Sequence, residues 1–305
     1  MARKKAQLEI ISRHGRPAQP SGAPPTVSGR WITTALGVVL AIALVCAWGS
    51  FCLLFWQGAW QLLYHPSSRV TRTPATVGLG FEPVGFAATE AGAPRLRGWW
   101  IPAADSGAAR FTVLYLHGRT GNLGDCVDKL AAIHAAGVNI LAFDYRGYGQ
   151  SDFVHPSEKH WREDAEWALE YMTGTRQIAA KQIVVAGSGL GANLALEMAA
   201  AHAELGGVVL DGPLNAPADL VFSDARAKLV PARLLFRDRY ALRQPAANLR
   251  VPSLWILGAE PASAASEEGL GAAYEAAPAP KTLVRTAGTD ETAAIRNWLV
   301  GLHGD

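Results

Sequence analysis

The sequence predicts an α/β domain in which helices cover both faces of a mostly parallel sheet of about eight strands. A transmembrane helix is predicted before it. Three observations support this. Strand-like and helical segments alternate after Pro74, a strand, a glycine-rich turn and a helix follow one another at 182–196, and residues 31–68 contain no Lys, Arg, Asp or Glu. Short apolar strands that alternate with helices are typical of a parallel sheet buried on both faces.

Composition and charge exclude several classes of protein. The net charge of +2 over 305 residues divides into +5 for residues 1–30 and −3 for the remainder, so the folded part has no basic footprint for nucleic acid. Only Cys126 lies outside the apolar segment, which excludes a disulfide framework in the domain. No Cys/His cluster has the spacing of a zinc site. We therefore expect no nucleic-acid partner, no metal and no cofactor.

The apolar segment has the length of a membrane span. Its core, Ile32 to Trp56, contains 25 residues and as a helix would extend about 38 Å, against a hydrocarbon thickness of about 30 Å. Trp31, Trp56 and Trp60 stand near its ends, where interfacial tryptophans occur. A buried core helix seldom stays apolar all round for this length, and a cleaved signal peptide has a shorter apolar region followed by small residues at the cleavage site. The segment therefore predicts one transmembrane helix.

The distribution of basic residues predicts the orientation of the chain. Six Lys/Arg precede the span, whereas only Arg69 and Arg72 follow it closely. This bias places the N-terminus in the cytoplasm and the large domain on the extracytoplasmic side of a single-pass membrane protein. The predicted divisions are a basic, disordered cytoplasmic tail at 1–30, the transmembrane helix at 31–57, a juxtamembrane linker at 58–75 and the α/β domain at 76–305.

The elements of the domain follow from its hydrophobic pattern. Strands are predicted at 81–89, 96–102, 111–118, 138–147, 182–187, 205–212, 251–258 and 281–288. Helices are predicted at 122–136, 157–172 and about 290–302.

Six segments occur in the order and spacing of the α/β-hydrolase superfamily, which the chain resembles over about residues 76–303. They are LLYHP (62–66), LYLHGRTGN (114–122), FDYRGYGQSD (143–152), VVAGSGLGA (184–192), LFRDRY (235–240) and VPSLWILG (251–258). The likeness is greatest to membrane-anchored members without a large cap domain. It implies the α/β-hydrolase fold and, where the site is complete, a serine hydrolase acting on ester or amide bonds. Asp144 and Arg146 resemble the family's structural turn, and we expect an ion pair between them.

The resemblance implies a catalytic triad whose three positions hold other residues. The family's nucleophile elbow is a sharp strand-to-helix turn, G-x-S-x-G, that exposes a serine. Here Gly189 stands at the serine position, Pro261 at the acid position and Thr289 at the histidine position. Thr289 suits the N-cap of the last helix instead. Three matched losses beside intact framework motifs predict a domain that has lost hydrolase activity.

Other residues near these positions are weaker substitutes. Ser188 lies one residue before the elbow centre, Glu260 is adjacent to the acid position, and Asp211 ends a strand from which some family members take their acid. The resemblance also implies an oxyanion-like site formed by Gly118 and the backbone N–H groups of Arg119 and Leu190. The same glycines equally suit a turn that the fold requires.

Three functions remain open from the sequence. The first is a binding or scaffold module, such as a subunit of a membrane complex, with membrane-protein partners on the helix or the domain. The second is a serine hydrolase with a rearranged site that uses Ser188. The third is a protein that binds a small anion or an acyl ligand above Gly189.

Overall fold

The computed structural model describes residues 27–87, 92–105, 109–258, 264–286 and 291–302. The chain forms two units, Met1–Phe51 and Cys52–Asp305. Pro261, Glu260 and Thr289 lie outside the described residues.

The first unit contains most of the apolar helix α1, Gly29–Gly58, which ends within the second unit. The helix is long enough and apolar enough to cross a membrane. Its large side chains face outward, since Leu36, Val39, Leu44 and Val45 are each more than 60% exposed. An apolar helix exposed on all sides is the form that a lipid environment requires.

Part of the segment 58–75, which the sequence predicts to be a linker, packs into the domain. A short helix α2, Trp60–Leu63, follows α1 at once, and Leu63 and Tyr64 are fully buried. The Tyr64 hydroxyl donates to Asp238 Oδ2 at 2.6 Å and lies 2.9 Å from the Tyr240 hydroxyl. The apolar side chains in LLY explain the difference, because burying them stabilises the segment against the domain.

One eight-stranded sheet forms the centre of the domain, as predicted. Its strands run in the order β8-β7-β6-β5-β3-β4-β2-β1. The two pairs β1/β2 and β2/β4 are antiparallel and the other pairs are parallel. The strands are β1 (Glu82–Ala87), β2 (Arg95–Ile101), β3 (Thr112–Leu116), β4 (Asn139–Asp144), β5 (Ile183–Ser188), β6 (Gly207–Asp211), β7 (Ser253–Gly258) and β8 (Lys281–Thr286).

Helices pack on both faces of this sheet. On one face, α3 and α10 bury Leu130, Ile133 and Ile295 against alternate residues of the strands. On the other face lies α5, whose residues are almost all buried, between α4 and α8. The helices are α3 (Val127–His134), α4 (Glu158–Glu170), α5 (Leu190–Ala201), α6 (Asp219–Phe222), α7 (Ala232–Leu235), α8 (Arg243–Asn248), α9 (Ala264–Ala276) and α10 (Glu291–Gly301).

Replacing Tyr64 with Phe tests whether the 58–75 segment stabilises the domain. Tyr64→Phe removes the hydroxyl that bonds to Asp238 and Tyr240. We expect a loss of about 1–2 kcal/mol in the free energy of unfolding, because buried partners lose a hydrogen bond. Denaturant unfolding of the purified chain in detergent measures the change.

Tyr274→Phe is the matched control, since the Tyr274 hydroxyl makes no hydrogen bond to the described part of the chain. Equal unfolding midpoints for Tyr64→Phe and Tyr274→Phe would show that the 58–75 segment contributes nothing through this contact.

Candidate functional site

A sharp turn joins β5 to α5 at the carboxyl edge of the sheet. Strand β5 ends at Ser188, helix α5 begins at Leu190, and Gly189 alone connects them with φ 57° and ψ −123°. This left-handed backbone conformation favours glycine. It presents the Cα of Gly189 at the tip of the turn, as a nucleophile elbow presents its serine.

The two flanking glycines are required by close backbone approach. A Cβ on Gly187 would lie 2.2 Å from the Gly191 carbonyl oxygen. A Cβ on Gly191 would lie 2.2 Å from the Leu116 carbonyl oxygen and 2.4 Å from that of His117. All three distances are far inside van der Waals contact, so neither position accepts a side chain. This geometry supports the register in which Gly189, not Ser188, is the centre of the elbow.

Gly189 has room for the side chain that it lacks. A Cβ built there meets no atom of the described residues within 4 Å. The Gly189 N–H is held by the Asp211 carbonyl oxygen at 2.8 Å, which fixes the turn against β6. The elbow is therefore complete in its backbone and open at the position of a nucleophile.

The two predicted oxyanion donors lie on either side of this turn. Leu190 is the first residue of α5, where N–H groups have no partner within the helix. Arg119 follows the Gly118 turn after β3, and a Cβ on Gly118 would come within 3.3 Å of the Ser188 carbonyl oxygen. In the described part of the chain neither amide has a hydrogen-bond acceptor.

The Arg119 side chain points away from the elbow. Its Nη1 donates to the Leu63 carbonyl oxygen at 2.9 Å and lies 3.1 Å from His65 Nδ1. The Arg119 carbonyl oxygen accepts from the Tyr148 hydroxyl at 2.9 Å. Arg119 thus connects the segment after α2 to the site and leaves the space above Gly189 unfilled.

Ser188 belongs to a polar network on the α3 face of the sheet. Its Oγ donates to Asp211 Oδ2 at 2.7 Å and accepts from the Tyr115 hydroxyl at 3.1 Å. Lys129 Nζ lies 2.9 Å from the same Asp211 Oδ2 and also contacts the Glu291 carboxylate. The structure therefore brings Ser188 and Asp211 together, though on the face of the sheet and not at the elbow tip.

The charges of this network do not activate Ser188. Burial lowers the pKa of Lys129, but the Asp211 and Glu291 carboxylates outweigh it and raise that pKa. Lys129 therefore stays protonated, and its ammonium group remains paired with the Asp211 carboxylate. In the described residues no histidine contacts Ser188 Oγ. A serine needs a free base within hydrogen-bond reach to become a nucleophile, and the Lys129 ammonium already pairs with the Asp211 carboxylate.

The predicted Asp144–Arg146 ion pair does not form. Arg146 Nε and backbone N–H instead donate to Asp164 at 2.6 and 2.8 Å. Asp144 accepts from the Leu123 N–H at 2.9 Å and lies 3.6 Å from His117 Nε2. Arg146 points toward α4, whose inward face supplies the buried carboxylate. Asp164 follows the inward-facing Trp161 by three residues, and this spacing could have identified it.

Burial shifts the pKa of both groups beneath the turn. It raises the pKa of Asp144 to about 7 and lowers that of His117 to about 4. His117 Nδ1 donates to the Gly118 carbonyl oxygen at 2.8 Å. This contact orients the ring beneath the Gly118 turn, so a neutral histidine stabilises the loop that carries one oxyanion donor.

A cavity of about 600 Å³ lies above the carboxyl ends of β6 and β7, and β6 pairs with the elbow strand β5. Its lining is mostly apolar and includes Leu214, Leu220, Leu257 and Leu270. Arg285 supplies a cation at the wall and contacts Glu267 at 3.1 Å, and Asp219 adds a second carboxylate to the lining. The concave, mostly apolar wall suits a ligand that has an acyl group.

Asn193 positions the wall of this cavity. It is buried on α5, and its Oδ1 accepts from the Leu214 N–H at 2.8 Å. Its Nδ2 donates to the carbonyl oxygens of Leu214 and Tyr240 at 2.8 and 2.9 Å. Asn193 is not among the residues predicted from the sequence, although a polar residue within an otherwise apolar helix is a usable signal.

Comparisons with known proteins agree with this architecture. The model of the alpha/beta hydrolase family matches residues 113–303. An uncharacterized protein of Mycobacterium tuberculosis is 30% identical over 224 residues, which cover 73% of this chain and 76% of that protein. The uncharacterized protein YfhR of Salmonella typhimurium is 27% identical, and the matched residues cover 72% of this chain and 75% of that protein. The structure of an esterase from Pyrococcus furiosus is similar in fold, with a TM-score of 0.59 at 20% identity over 78% of this chain and 98% of that one.

Alanine substitutions at two glycines test the register of the elbow. Gly191→Ala places a Cβ against two carbonyl oxygens, and we expect it to lower the free energy of unfolding by about 3 kcal/mol or more. Gly189→Ala meets no described atom and should cost only about 1–2 kcal/mol for its left-handed backbone. Denaturant unfolding measures which variant loses more free energy of unfolding. A larger loss for Gly189→Ala than for Gly191→Ala would contradict this register.

Proposed function

Because this chain belongs to the alpha/beta hydrolase family, we propose that it is a membrane-anchored member that binds a ligand or partner and does not hydrolyse. In this proposal α1 crosses the membrane with its N-terminus in the cytoplasm, and the domain lies on the extracytoplasmic side. The single observation that carries the proposal is Gly189, which holds the elbow backbone with no side chain at the nucleophile position.

A turn of this geometry without a nucleophile is physically consistent with a binding role. The backbone of the elbow, the Gly118 turn and the start of α5 support the fold whether or not Gly189 carries a hydroxyl. Without a serine and a base, only residual oxyanion stabilisation is left for catalysis. The predicted losses at Pro261 and Thr289 act in the same direction.

The apolar cavity at the ends of β6 and β7 is the binding site that we propose. Its volume suits a small molecule and its leucines suit an acyl chain. A carboxylate of the ligand would take the place of Glu267 on Arg285. The proposed ligand is therefore an acyl compound with a carboxylate. We also propose that the helix and the domain surface contact a partner in a membrane complex.

A rearranged hydrolase that uses Ser188 is the second candidate, because Ser188 Oγ contacts Asp211 at 2.7 Å. The protonated Lys129 on the same carboxylate argues against it. The two candidates differ in whether Ser188 reacts as a nucleophile.

Turnover of short acyl esters separates the two candidates. We expect the purified chain and its Ser188→Ala variant to hydrolyse p-nitrophenyl acetate at the same background rate, since no base activates Ser188. A fluorophosphonate probe should leave both proteins unlabelled, because it reacts with an activated serine. Labelling or turnover that disappears in Ser188→Ala would establish the rearranged hydrolase.

Thermal stabilisation tests the ligand. We expect a medium-chain carboxylic acid such as octanoate to raise the unfolding temperature of the chain in nanodiscs. At a concentration of 100 times Kd the gain is about 2.7 kcal/mol. Arg285→Leu should reduce the shift, whereas Arg296→Leu, on the surface of α10, should preserve it. No shift with any chain length, or an equal shift in both variants, would contradict this ligand.

A further inference from the structure

A second cavity lies where α1 ends, beside the start of α4. Six of its lining residues are Trp56, Trp60, His155, His160, Phe236 and Arg237, and its volume is about 660 Å³. We call it the juxtamembrane cavity. Trp56 belongs to the last turns of α1 and Trp60 to α2, and both are in the same unit as the domain.

The depth of this cavity relative to a bilayer follows from the end of the apolar segment. Only Ala59 separates α1 from α2, and Ala59, Leu63 and Tyr64 are buried in the domain. The last apolar turn is therefore joined to the domain without a flexible linker. Tryptophans at the end of a span lie at the level of the lipid headgroups, which places the cavity at that level.

The walls of the juxtamembrane cavity are apolar and aromatic with one free cation. The Trp60 and His155 rings stack with centroids 4.9 Å apart. Across the described part of the chain the Arg237 guanidinium has no ion pair or hydrogen bond, although it is exposed at the cavity wall. The carboxylate in the lining, Asp238, already accepts from the Tyr64 hydroxyl at 2.6 Å. The lining thus combines an acyl-compatible surface with an unpaired positive charge.

The surrounding surface has the charge and hydrophobicity of a membrane contact. Residues 224–243, here called the basic segment, contain six Lys/Arg and two Asp, a net charge of +4, in a chain whose residues 31–305 carry −3. Leu229 and Leu234 within it are 65% and 69% exposed. Phe153, whose ring contacts His155 at 5.6 Å, is 71% exposed. Exposed apolar residues among basic ones are typical of proteins that lie on an anionic bilayer.

We propose that the juxtamembrane cavity binds an anionic phospholipid from the leaflet on the domain's side. The headgroup phosphate pairs with Arg237, and the start of an acyl chain packs against Trp56, Trp60 and Phe236. The basic segment contacts neighbouring anionic headgroups, and Leu229, Leu234 and Phe153 enter the interface. This inference rests on the proposed membrane crossing of α1, but it is independent of whether the elbow has lost its chemistry.

Hydrogen exchange of the full chain in nanodiscs tests the proposal. One set of discs contains phosphatidylcholine alone, and the other contains equal parts of phosphatidylcholine and phosphatidylglycerol. We expect exchange of the 153–160 and 225–239 peptides to be on the order of fivefold slower in the anionic discs. The reason is that each basic residue near an anionic surface strengthens binding to it by about that factor. Added salt should reduce the difference through screening.

Charge variants locate the effect. Arg233→Glu with Arg237→Glu should abolish the difference between the two discs, whereas Lys181→Glu with Arg250→Glu, exposed residues outside the cavity, should preserve it. Arg233 lies 4.8 Å from the Phe222 ring centroid. Because this contact supports folding, Arg237→Gln alone is the second variant, and it should remove most of the difference.

The outcomes separate the lipid site from the anchor. Slow exchange along 31–57 in both discs, with identical exchange of 225–239 in both, would overturn the lipid site and leave the anchor intact. Rapid exchange along 31–57 in both discs would overturn the anchor and the lipid site together. Protection of 225–239 that is equal in both discs and insensitive to Arg237→Gln would identify a contact other than anionic lipid and overturn the proposal.

Discussion

The close approach of three backbone segments at the elbow is the constraint on which the site depends. The Gly191 position touches the carbonyl oxygens that end β3, and the Gly187 position touches Gly191 itself. No other residue type lets these segments come together, because a single Cβ would overlap carbonyl oxygens. The contact fixes the start of α5 against β3 and β5, and with it the direction of the Leu190 N–H. The residue between them, Gly189, is the one position in the turn that the packing leaves free.

Because Gly189 has this freedom, the residue at the nucleophile position can change the chemistry of the site without changing the stability of the fold. A Cβ at Gly189 would meet no described atom within 4 Å, so the lack of a side chain there disturbs no packing. The buried polar residues around it make structural hydrogen bonds. Asn193 accepts from the Leu214 N–H, Asp144 accepts from the Leu123 N–H, and His117 donates to the Gly118 carbonyl oxygen. Each is a buried polar group whose removal would leave partners unsatisfied. Folding requirements are therefore sufficient to account for these framework residues.

The charged groups inside the domain differ from those on its surface near α1. Two ion pairs lie inside the domain, Arg146 with Asp164 and Lys129 with Asp211. In contrast, the basic segment places Arg237, which has no ion pair within the described residues, beside the end of the apolar helix. Buried charges are costly unless they are paired, whereas exposed charges are free to act on other molecules. The surface near α1 is thus the part of the domain best suited to electrostatic recognition.

Periodicity and composition alone determined the class of this protein, and tertiary structure decided how its polar groups are used. The eight strands, α1 and the register of the elbow were predictable because apolar spacing and glycine placement are local properties of the chain. The partner of Arg146 was not, because Asp144 and Asp164 compete for it and only the direction of α4 selects between them. The burial of Tyr64 was not, because its partners Asp238 and Tyr240 lie more than 170 residues away in sequence. Contacts of that kind depend on the closure of the whole fold, which no local pattern encodes.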